Sequence, residues 1–70
     1  MMPLAVADVG EENIIKKIGG SSDVKKHLEN LGFVVGGSVE VVSTVNGNLI
    51  VNLNEARVAI SREMAQEIMI

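Results

Sequence analysis

A small, mainly β domain with one short amphipathic helix is the fold this 70-residue sequence predicts, and three observations carry the prediction. Apolar residues make up 47% of the chain, yet Phe33 is the only aromatic, so the core is aliphatic and rich in valine and isoleucine, which favour strands. From Val39 to Leu53, apolar residues alternate with others on either side of Asn46-Gly47, the pattern of a β-hairpin. Between them, Val24, Leu28 and Leu31 fall at i, i+4 and i+7, one helical stripe, and Gly32 follows where the pattern returns to strand.

The elements follow in order. Pro3 to Val9 is apolar but short and ends at Gly10, which reads as a loose strand or a turn of helix packed on the core. Asn13 to Ile18 would suit two helical turns, but its three isoleucines favour a strand. Ser21 or Ser22 caps the helix, and Gly32 takes the left-handed backbone at its end without side-chain strain. Phe33 is placed to cover Leu28 in the contact that accompanies such a cap.

In the hairpin, a two-residue Asn46-Gly47 turn would set Val41 against Asn52, apolar against polar. A three-residue loop, Asn46 to Asn48, is therefore expected, with Asn48 left-handed, Val45 facing Leu49 and Val41 facing Leu53. Asn54-Glu55 turns the chain into a strand from Arg57 to Ile60. Ser61 caps a helical turn from Arg62 to Gln66, and Ile68 to Ile70 is a last strand. Four or five short strands, one helix and a C-terminal helical turn make a single domain, residues 1–70, in the form of an SH3-like barrel. Barrel closure removes the strand edges that would otherwise aggregate. A ferredoxin-like sandwich needs a second full helix, which this sequence does not provide.

Order and spacing carry a family resemblance. Leu28-x-x-Leu31-Gly32-Phe33-x-x-Gly36, with Leu4 and Val9-Gly10 before it and Arg57-x-Ala59-Ile60 and Ala65-x-x-Ile68 after it, resembles the FeoA family of small bacterial proteins that accompany the ferrous iron transporter FeoB. Val35 stands where that family commonly has proline, and Asn54 where it commonly has glycine. The resemblance implies an SH3-like barrel, structural roles for Leu28, Leu31, Gly32, Gly36 and Arg57, and a FeoB-like transporter as partner.

Composition narrows the function. A domain this short buries only about 60% of its unfolded surface, and with no cysteine neither disulfides nor thiolate metal sites reinforce it. A net charge of −3 with scattered basic residues argues against a nucleic-acid partner. No long apolar run or basic leader appears, so a cytoplasmic protein is expected. Catalysis lacks convergent candidates, and the chain is expected not to be an enzyme.

His27, the only histidine, follows Asp23 by one helical turn. The pair offers weak contact to Fe2+ or Zn2+ at most, because stable transition-metal sites need three or four ligands. No cofactor is expected. Glu11-Glu12 reads as a solvated acidic pair, Gly19-Gly20 and Gly36-Gly37 as turns, and Met64 and Met69 as core filler. Arg57 pairs with Glu55 or Glu40, or belongs to a partner surface.

Val34, Val35, Val42 and Ile50 point away from the inferred core. Val34, Val35 and Ile50 are the expected partner-binding residues, through apolar contact insensitive to salt. The reading is a non-enzymatic accessory protein docking on the cytosolic part of a FeoB-like transporter. The alternative is a metal-responsive regulatory module like the C-terminal SH3-like domain of diphtheria-toxin-repressor-type proteins. The lack of a helix-turn-helix counts against it.

Overall fold

The computed structural model describes residues 1–70. A 3-10 turn at Leu4–Val6 is followed by β1 (Glu12–Ile14), β2 (Lys17–Ile18), α1 (Ser22–Leu31), β3 (Ser38–Val45), β4 (Asn48–Leu53), β5 (Ala56–Ser61), α2 (Arg62–Ala65) and β6 (Ile68–Met69). β1, β3, β4 and β5 form one antiparallel sheet in that order, and β2 pairs with β6 in a second. The chain's first residues extend the second sheet: Met2 and Ile70 exchange backbone hydrogen bonds of 3.0 and 2.8 Å, and Pro3 bridges Met69.

The expected strand over Asn13–Ile18 is broken in the middle, for a reason visible in its hydrogen bonds. The Ile15 N–H donates to Gly37 O (2.9 Å), while the next amide, Lys16, donates to Met69 O (2.7 Å). The segment thus changes sheets between two consecutive residues. Ile15 is buried at that corner, with exposed residues on either side. The two sheets wrap a common core, but their ladders do not join into one continuous ring.

The hairpin corrects the expected register. Val45 pairs with Asn48 around a two-residue turn in which Asn46 and Gly47 have φ of 50° and 82°, the backbone of a type I′ turn. Asn48 does not take a positive φ. The mismatch that argued against this turn is removed by an irregularity at Val42: the register shifts between Val41 and Ser43, so Val41 faces Val51 rather than Asn52. Neither Val45 against Leu49 nor Val41 against Leu53 forms. One extra residue in β3 lets a tight turn and a one-sided apolar face coexist.

The helix ends as its sequence dictates. Ser21 is the cap, its Oγ accepting from the Val24 N–H at 3.3 Å, and Ser22 is the first helical residue. Gly32 has φ 109°, its N–H donates to Glu29 O, and the Phe33 N–H donates to Leu28 O, both at 3.0 Å. This is the paired bonding of a Schellman stop. Leu28 and Phe33 are both fully buried in the core, with Val24 and Leu31 partly buried against it. Ser61 caps α2 in the same way, accepting from the Met64 N–H at 3.2 Å.

Thirteen apolar residues, contributed by nearly every element, form the core, and Phe33 is the largest of them. Met64 packs against the core, and Met69 is half-buried on β6.

Candidate functional site: a lysine-edged groove

Val34 and Val35 remain 48% and 64% exposed because of the turn that holds them. Gly36 has φ 89°, the Gly37 N–H closes back on Val34 O at 3.0 Å, and the Gly36 N–H donates to Ile15 O at 2.8 Å. A glycine at positive φ in third position is the type II pattern, whose second position suits proline and here holds Val35. The turn is therefore pinned to the β1–β2 corner by hydrogen bonds, and its two valines project beside α1.

Between this turn, β2 and α1 lies a groove of about 490 Å³ lined by Lys16, Lys17, Ile18, Lys25, Glu29, Val34 and Val35. Sequence reasoning picked out the valines and missed the lysines. A signal was present: two consecutive lysines in a strand cannot both face outward unless the strand bends there.

Ile50 does not line this groove. It is half-buried on β4, paired between Ser43 and Ala59, and Val42 is likewise half-buried at the irregularity in β3.

The outer surface of the four-stranded sheet carries a polar row, in which Glu12 faces Glu40, Glu40 faces Asn52 and Asn52 faces Arg57. Arg57 does not pair with Glu55 or Glu40. Its Nε donates to Asn52 Oδ1 at 3.3 Å, because Asn52 is its cross-strand neighbour. Glu12, Ser38, Glu40, Asn52, Asn54 and Glu55 surround a shallow notch of about 210 Å³ beside it.

Asp23 and His27 are exposed on α1, and no group of three or more His, Cys, Asp or Glu side chains is placed to hold a metal ion. Glu11 contributes only its backbone oxygen, to Asn13 Nδ2 at 3.2 Å. No polar or charged residue is buried. No helix is long and apolar enough to cross a membrane.

A family model, the FeoA domain, matches residues 2–70. The chain belongs to the FeoA family. It is 36% identical over 70 residues to a curated Fe(2+) transport protein A of Methanocaldococcus jannaschii, covering all of this chain and 85% of the relative. Among solved structures, FeoA of Stenotrophomonas maltophilia in complex with zinc, described as an SH3 domain protein, superimposes with a TM-score of 0.84 at 20% identity over 99% of this chain and 88% of that one. FeoA of Chlorobium tepidum gives 0.87 at 23% identity, over 97% of this chain and 67% of that one. A manganese-dependent transcriptional repressor gives 0.86 at 17% identity, over 94% of this chain but 38% of its own. The SH3-like fold expected from the FeoA pattern is the fold found, and membership places the chain among ferrous iron transport accessory proteins.

Proposed function

We propose that this chain is a non-enzymatic cytosolic accessory protein that docks on the cytosolic part of a FeoB-like transporter and modulates ferrous iron uptake. The observation that carries the reading is that the FeoA domain accounts for residues 2–70 while the core buries no polar group, leaving the surface as the working part. Val34 and Val35, the exposed apolar pair at the groove, make the contact. Likeness to repressor domains is at the level of fold, and nothing in this surface favours a regulator over a docking protein. A zinc-bound relative exists, yet this chain's donor set, one histidine and no cysteine, does not fit a resident transition metal.

Interferometry of the purified cytosolic domain of the transporter from the same organism tests the reading. Wild type is expected to bind, and Val35→Glu to bind at least about tenfold more weakly, since a carboxylate replaces a desolvated apolar contact. No binding between properly folded partners overturns it.

A further inference from the structure

We propose that the groove between α1, β2 and the Val34–Gly37 turn receives an acidic segment that carries aliphatic side chains. The inference rests on the docking reading above and adds the chemistry of what is held.

Charge selects the class of ligand. The chain has nine carboxylates against six lysines and arginines, a net charge of −3. Lys16, Lys17 and Lys25 nevertheless line one recess, with Glu29 as the only carboxylate among its lining residues. A positive recess in an acidic body attracts an acidic partner to one place and repels it elsewhere, which sets register as well as association rate.

The fold creates this concentration. In a straight strand, Lys16 and Lys17 would point to opposite faces. The change of sheet after Ile15 exposes both, and both line the groove. Ile18 and the two valines add apolar surface, and the lysine stems extend it while their ammonium groups stay in water. A ligand that satisfies the whole surface has carboxylates for the rim and aliphatic side chains for the floor.

Size and shape point to a segment of chain. A groove of about 490 Å³ accommodates a few side chains. Anionic membrane surfaces are read by clusters of roughly four to eight basic residues on an exposed patch, whereas here three lysines edge a concavity on an acidic protein. The salt independence expected of a purely apolar contact accordingly gives way to a mixed contact.

The experiment uses the transporter's cytosolic domain against wild type, the double variant Lys17→Glu/Lys25→Glu, and Arg62→Glu, which makes the same kind of charge change outside the groove. Binding is measured at about 0.1 M and about 1 M NaCl, between which the Debye length shortens from ~10 to ~3 Å. Wild-type binding is expected to weaken severalfold with salt without vanishing. The double reversal is expected to lose at least about tenfold, and Arg62→Glu to bind nearly as wild type. Amide shifts in the 15N–1H spectrum should cluster at Lys16–Ile18, Lys25–Glu29 and Val34–Val35; the same spectrum verifies folding of the variants. Binding that ignores the lysine reversal and salt, or shifts centred elsewhere, overturns the acidic segment while docking stands. Competition by phosphatidylglycerol vesicles in place of the protein domain overturns it in favour of a lipid surface. Absence of wild-type binding removes the docking reading itself, and this inference with it.

Discussion

Gly32 holds φ at 109°, and a Cβ built there would lie 3.2 Å from Leu53 Cδ2. Two penalties therefore meet in Gly32→Val: a β-branched residue in left-handed backbone and pressure on a core leucine. The expected loss is about 1–3 kcal/mol, read as a lower urea midpoint. Glu55 is the opposite case. With Asn54 at φ 52° and Glu55 at φ 69°, the β4–β5 turn places a residue with a full side chain where glycine is favoured. Glu55→Gly should raise stability by about 0.5–1 kcal/mol, seen as a higher melting temperature. Gly32 was legible because glycine after a helical stripe has one common meaning. The strain at Glu55 was not, since glutamate carries no signal for left-handed backbone.

The outer row of the four-stranded sheet sets two carboxylates directly across from one another, Glu12 on β1 and Glu40 on β3. Like charges in that position destabilise a sheet. Glu40→Gln is therefore expected to stabilise the domain by about 0.2–1 kcal/mol at low salt, and the gain should shrink in concentrated salt as screening removes the repulsion. Chemical denaturation in urea at two ionic strengths measures both. Sequence alternation located β3, β4 and β5 but not the register of the first pair. Alternation marks which side chains face inward, and an extra residue at Val42 shifts the partners without changing that count for Val39 and Val41. For the same reason the split of β1 from β2 was hidden, because three isoleucines describe a strand without saying which sheet it joins.

Taken whole, the molecule separates a buried apolar core from a surface that holds its polar and charged side chains. Metal titration follows from that separation. With one histidine, no cysteine and no converging trio of ligands, Fe2+ or Zn2+ should bind weakly and without defined stoichiometry, and His27→Ala should change the isotherm little. Anaerobic calorimetry decides it; a saturable one-to-one site lost in the variant would be the contrary result. The core was readable from the sequence because burial follows local periodicity. The groove was readable only in part, since Val34 and Val35 stand out as apolar residues in a turn, whereas Lys17 and Lys25 meet through folding of segments with no shared pattern.

The strand at Ile68–Met69 lies between Lys17–Ile18 on one side and the Met2–Pro3 segment on the other, and Ile68 and Ile70 are both buried. These pairings join segments far apart in the sequence, so forming them costs more chain entropy than forming a hairpin does. The β3–β5 meander, whose contacts are local, can form ahead of these long-range pairs. Refolding is therefore expected to be limited by the docking of Ile68–Met69 between its two neighbours rather than by the speed of the hairpins.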